Sequence, residues 1–317
     1  MHKPIFIVGP HRSGSTLWHN IITNNKRILR VSEPRFLGRK KDKDVRYFFQ
    51  ENRIKNKNLQ TVKTFVDSTL STKNSKGLGT HFWKFEDLKP DSKEKYRRAL
   101  VEKIRNSDLS FNKITTIYLE EYVKTKKSER CCVKFPVDIS YVPELINWYS
   151  DCKILHIIRD PRGLAMSKTN DPSGSARKLK RIGVGQSLIK KLAIVATAFD
   201  YRRHSIYYNQ YKRLKNYRLF HYEDLLFDPE NTINKLCEFI EIEFSENLIS
   251  FDGGNQFFQK SSITGKEVRE IDPGVALRGI KLMTPTEKWL MKILAGKSVS
   301  RFAYAFDNHP IFNNEDV

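Results

Sequence analysis

The chain has 317 residues, of which 39% are hydrophobic and 12% aromatic. That is enough to bury a full core, and it excludes a disordered polar chain. Fifty-seven Lys and Arg against 36 Asp and Glu leave a formal charge of +21, which favours an anionic partner without naming one.

The first element in chain order is the apolar run Ile5–Val8, "IFIV", which reads as a buried strand. It leads into "GPHRSGSTL". Gly9, Gly14 and Thr16 stand where a P-loop, G-x-x-x-x-G-K-[ST], would have them, but Ser15 replaces the lysine. The nearest cation is Arg12, three residues earlier. A helix then runs through Leu17, Ile21 and Ile22. Its N-terminus, with Ser13, Gly14, Ser15 and Thr16, is built to hold a phosphate-like anion. Without the lysine that reaches the β- and γ-phosphates, ATP chemistry is disfavoured.

A weaker strand, Ile28–Ser32, follows, and Glu33 stands just past its end in "RVSEPRF". A carboxylate there can serve as a general base. Residues 37–130 are charged and weakly amphipathic, and predict a helical insertion beside the sheet. Strands resume at Cys131–Phe135, with Lys134 near the end, and at Ile154–Ile158. The second of these opens "IIRDPRGLAMS", with Arg159 past the strand end and Ser167 eight residues on. In open α/β sheets ligands bind beyond the carboxyl ends of strands. Arg159 and Ser167, on a helix begun near Asp160 or Pro161, therefore form a second candidate anion site.

Leu188, Leu192, Val195 and Phe199 mark one face of a helix, and Ile233, Leu236, Cys237 and Ile240 one face of another. Between them lies the strand Tyr217–Tyr222. Asp228 is placed to cap the second helix, and Pro229 suits its first turn. Residues 245–317 form a C-terminal region of loop and helix, the last helix opening at Pro285 with Trp289 and Leu290 facing inward. Strands alternating with helices predict an α/β fold with a parallel central sheet and flanking helices.

Four cysteines without C-x-x-C spacing predict reduced thiols and no structural zinc. No signal-peptide pattern and no apolar run near ~20 residues appear, which predicts a cytoplasmic chain without a membrane span. Helix-turn-helix, zinc-finger and RNA-recognition signatures are absent from the sequence, which argues against a nucleic-acid module. The oligomeric state is not legible.

Three motifs in order, "GPHRSGSTL", "IIRDPRGLAMS" and "LFHYEDLLFDPENTINKLCEFI", resemble those of sulfotransferases that use 3′-phosphoadenosine-5′-phosphosulfate. The resemblance covers roughly residues 4–33, 131–168 and 217–240. It implies a P-loop NTPase-like fold, one sulfotransferase domain over residues 1–317, and no metal. By the same resemblance Arg12, Ser13, Gly14, Ser15 and Thr16 hold the 5′-phosphosulfate. Arg159 and Ser167 hold the 3′-phosphate, and Tyr222 lies near the adenine. Small-molecule members carry a histidine shortly after the strand lysine, and "KFPVD" has none. The pattern is closer to members with a glutamate base acting on carbohydrate or protein. That implies Glu33 as base, with His81 as the alternative, and Lys134 and Arg12 as charge stabilisers. The acceptor is an unidentified hydroxyl or amine. A nucleotide or sugar kinase with a degenerate P-loop, or a basic polyanion-binding module, are the competing readings.

Overall fold

The computed structural model describes residues 3–31, 56–70, 88–135, 139–170, 175–249, 271 and 273–304. Glu33 and His81 lie outside these residues. Five strands form one parallel sheet: β1 (Ile5–Val8), β2 (Ile28–Val31), β3 (Arg130–Phe135), β4 (Lys153–Ile158) and β5 (Tyr217–His221). Their order is β2-β3-β1-β4-β5. β1 is buried at all four positions, and β4 at all but Lys153, so both read as continuous apolar runs. β2 runs parallel to β3 with Ile28 opposite Arg130 and Val31 opposite Val133. After β1 the chain goes to the β2 edge, and after β4 it goes to the β5 edge. The order therefore reverses between β1 and β4, the switch point beyond which open α/β sheets bind ligands.

The expected strands match the observed ones to within a residue, except that Ser32, the expected end of β2, lies outside the described residues and Tyr222, the expected end of β5, leaves the strand. That residue begins a helix, α9 (Tyr222–Phe227), instead of ending β5.

The chain divides into two compact units. The first comprises Met1–Ile7 and Asn25–Ile154. Its helices among the described residues are α2 (Leu59–Leu70), α3 (Pro90–Arg105), α4 (Phe111–Thr125) and α5 (Val142–Trp148). Pro90 opens α3, where a missing N–H costs nothing. Tyr96, Leu100 and Ile104 recur every four residues on its buried face, and α3 packs on α4 along it. The Tyr96 hydroxyl donates to the Tyr118 carbonyl at 3.1 Å, satisfying a buried polar tip.

The second unit comprises Val8–Asn24 and Leu155–Val317. It holds α1 (Ser15–Thr23), α6 (Pro161–Thr169), α7 (Ser175–Arg181), α8 (Gln186–Tyr211), α9, α10 (Pro229–Ile240), α11 (Gly274–Lys281) and α12 (Pro285–Ser300). α6, α8 and α12 share one core, with Leu164 and Met166 against Ile194, Tyr201, Met291 and Val299. In α10 the stripe Ile233, Leu236, Cys237 and Ile240 is buried, as its spacing predicts. Asp228 takes the N-cap position, but its carboxylate accepts from Asn231 Nδ2 at 2.8 Å and not from the helix backbone. Thr284 and Glu287 cap α12 reciprocally, side chain to backbone in both directions.

One helix face differs from its reading in sequence. Trp289 points outward and is 62% exposed, whereas Leu290 packs partly against the core. The inward side of α12 is taken by Met291, Ala295 and Val299, smaller residues that allow a close approach to α8. The stripe Leu188, Leu192, Val195 and Phe199 does form one face of α8, and that face is the outer one. The inner face carries Ile194, Tyr201, His204 and Ser205.

All four cysteines are buried thiols. Burial pushes the Cys131 thiol up to about 12, which keeps it protonated and inert. No helix among the described residues is long and apolar enough to cross a membrane.

Candidate active site

The loop from β1 to α1 turns on a hydrogen bond from the Ser13 N–H to the Pro10 carbonyl, 3.1 Å long. Two residues in it hold left-handed backbone: Arg12 at φ 75° and Gly14 at φ 90°. At Gly14 glycine is required twice over. The conformation disfavours a Cβ, and a Cβ there would lie 2.2 Å from Tyr222 Cδ2. Gly9 is similarly confined, since its Cβ would meet the Ile157 carbonyl oxygen at 2.3 Å. The loop thus lies tight against the end of β4 and the start of α9.

Gly14 is the N-cap of α1, with no side-chain cap and no acidic residue in the first turn. The positive end of the helix is left for something else. Ser15 is buried there, and Thr16 is half-buried beside it. Ser13 Oγ is fully buried and has no hydrogen-bond partner among the described residues. An unsatisfied buried hydroxyl costs about 1–3 kcal/mol, which a ligand oxygen would recover.

Arg12 bridges the two candidate anion motifs. Its Nε donates to Ser167 Oγ at 3.3 Å. Ser167 is buried on α6, two turns from the end of β4. Arg159, also buried, leaves that strand end and lays its guanidinium over the Tyr222 ring, 4.6 Å from the centroid. Tyr222 therefore touches both halves: its edge fills the space opposite Gly14, and its face supports Arg159.

A buried network behind Arg159 was not legible as a group in the sequence. Asp160 caps α6 by accepting from the Arg162 N–H at 2.8 Å, and pairs with the Arg162 guanidinium at 2.6 Å. Glu223 accepts the Asp160 N–H at 2.9 Å and the Tyr304 hydroxyl at 2.6 Å. Burial, and then the nearby Asp160 carboxylate, raise the Glu223 pKa. The only local signal was D-P-R after a strand, which marks a helix cap but not its distant partners. α11 closes this side: a Cβ on Gly279 would lie 2.9 Å from Gly163 Cα, so the two helices cross with backbones nearly touching.

The structure thus brings Arg12, Ser13, Gly14, Ser15, Thr16, Arg159, Ser167 and Tyr222 together in one unit. Lys134 lies in the other unit, buried at the end of β3.

The sequence model of the sulfotransferase family matches residues 4–246. No curated protein matches the chain significantly. Solved structures with a similar fold include a sulfotransferase domain from the curacin biosynthetic pathway, at TM-score 0.59 and 17% identity. The similarity covers 96% of this chain and 99% of that one. The sulfotransferase domain of the Synechococcus PCC 7002 olefin synthase aligns at TM-score 0.55 and 18% identity, over 96% and 97% of the two chains. Mouse sulfotransferase SULT7A1 complexed with PAP aligns at 0.50 and 14%, over 96% and 89%. At these identities the likeness shows the fold alone, and the family match rests on the sequence. With most of its length, from the first strand through α10, this chain belongs to the sulfotransferase family.

Proposed function

We infer that this sulfotransferase moves a sulfuryl group from 3′-phosphoadenosine-5′-phosphosulfate to a hydroxyl or amine, on a carbohydrate or protein acceptor. The observation that carries the reading is the contact between Arg12 and Ser167, which joins two anion-binding motifs 155 residues apart. A donor with charged groups at both 5′ and 3′ positions needs two such motifs side by side. The unsatisfied Ser13 Oγ, the uncapped α1 terminus and the cradle at Gly14 fit the 5′ end. Arg159 and Ser167 fit the 3′-phosphate, and Tyr222, against both Gly14 and Arg159, suits the adenine side. Ser15 in place of a P-loop lysine, and Arg12 as the nearby cation, suit this donor better than ATP with Mg²⁺.

The bound donor supplies an activated sulfuryl group and a phosphate leaving group. The α1 amides, Ser15 and Thr16 fix the position of the transferring oxygens. Arg12 and Lys134 offset the charge that grows there and on the leaving oxygen. Glu33 takes the proton of the acceptor as the acceptor attacks, with His81 as the alternative base. No residue in this scheme needs a metal.

Thermal unfolding of the purified protein tests the reading. At a 100-fold excess over Kd the desulfated nucleotide 3′,5′-diphosphate should add about 2.7 kcal/mol, a rise of roughly 5 °C in Tm. ATP with Mg²⁺ should give less, and the reverse order would overturn the assignment.

A further inference from the structure

The outer face of α8 is apolar, although the helix already buries its opposite face in the core. Leu188, Leu192, Val195 and Phe199 recur every three or four residues, Ile206 follows two turns further on, and all are exposed, Phe199 by 67%. At 1.5 Å per residue the stripe is about 27 Å long. α12 packs along α8 and exposes Trp289 and Ile293 on its own outer side. Isolated exposed apolar residues are ordinary, but a helical run of four of them, on a helix packed beside one that exposes a tryptophan, is not.

The exposed charged residues of α8 and α12 are all basic. Lys191 and Arg202 flank the α8 stripe, and Lys288, Lys292 and Lys297 border Trp289; all are exposed. Every charged residue of α7, just upstream, is basic. The acids within α8 and α12 are Asp200 and Glu287, paired with Lys168 at 2.5 Å and Lys190 at 3.8 Å.

We propose that the outer face of α8 and α12 docks on an anionic phospholipid bilayer. A ridge of aliphatic and aromatic side chains with basic residues on its flanks is the pattern of an interfacial helix. The apolar side chains enter the headgroup boundary while lysine and arginine reach the phosphates. Tryptophan is favoured at that depth, with an apolar body and a polar N–H. A nucleic acid would use the cations but gives Leu188, Leu192 and Ile206 no partner. A second copy in a two-fold contact would set basic flank against basic flank.

The test is co-sedimentation of the full chain with phosphatidylcholine vesicles, with and without phosphatidylglycerol. Binding should require the anionic lipid and weaken as salt rises. Lys191→Ala and Arg202→Ala should each lower affinity about fivefold. Phe199→Ser with Trp289→Ser should lower it more than tenfold. Both changes lie on the surface, so Tm and its shift with nucleotide should stay as in the wild type. That control also separates failure of this proposal from failure of the donor assignment. Trp289→Phe should keep binding but lose the blue shift of tryptophan emission on vesicles. Absence of binding to anionic vesicles, or binding unchanged in the double serine variant, would overturn the proposal. So would a wild-type dimer that the serine variant disperses in light scattering. Weakened binding of single-stranded DNA by that variant, with vesicle binding intact, would overturn it too.

Discussion

Arg12 Nε and Ser167 Oγ meet at 3.3 Å, joining the loop after β1 to the helix after β4. The reversal of strand order between these two strands makes the meeting possible. If both groups hold one donor, their effects on its binding are coupled. Arg12→Ala should weaken the nucleotide 3′,5′-diphosphate at least tenfold, since bonds from charged donors contribute about 1.5–3 kcal/mol. Ser167→Ala should weaken it about fivefold. The double variant should lose less than the product, by about 1 kcal/mol of coupling in calorimetric titration. Strictly multiplicative losses would show that the contact has no role in binding.

Gly14→Ala places a Cβ 2.2 Å from the Tyr222 ring in backbone that already disfavours it. The left-handed strain costs about 1–2 kcal/mol and the overpacking about as much again. Urea unfolding should show a loss of about 3 kcal/mol, and nucleotide binding should fall with it. Adding Tyr222→Ala should return the steric part, so the two losses should not add. A neutral Gly14→Ala would refute the packing of Tyr222 against the loop.

Glu33→Gln should lower kcat 10²- to 10⁴-fold, roughly the value of a positioned base, and leave nucleotide affinity unchanged. His81→Ala should leave kcat within a few-fold. The opposite pattern in steady-state and binding measurements would move the base to His81. Lys134→Ala should lower kcat and kcat/KM together, as expected for an interaction made in the transition state.

His156 sits in β4, fully buried, with its Nδ1 against the Tyr217 hydroxyl and its Nε2 3.0 Å from His204 Nδ1. Burial, and then the nearby His221, hold its pKa down to about 3. The unfolded chain takes up this proton near pH 6.5, and the folded chain does not until far lower. A depressed folded pKa gives stability that is present above pH 6.5 and is lost as pH falls toward 3. Between pH 7 and 5 the wild type should lose about 2 kcal/mol more than His156→Asn in urea unfolding. His221 moves the other way: burial lowers it, but Asp224 at 3.4 Å, Glu223 and the Phe302 carbonyl together raise it. That contribution is present in both proteins, so it drops out of the comparison. Equal pH dependence would mean that His156 is not held neutral.

Much of this protein is written in local patterns. The apolar runs of β1 and β4 lie close to their expected bounds, because a strand buried on both faces must be apolar throughout. The glycine loop, the arginine at the end of β4 and the buried stripe of α10 are legible for the same reason: each feature is contained within a few residues. Periodicity located α8 and α12 but did not decide which way they face. Trp289 reads as inward-facing in the sequence, yet the inner faces belong to Tyr201, His204 and Met291, whose contacts come from distant strands and helices. The Glu223, Asp160 and Tyr304 network was hidden likewise, since its members are 63 and 81 residues from Glu223. Only the tertiary structure could pair them, because a buried charge is tolerated by partners that the chain brings near after it has folded.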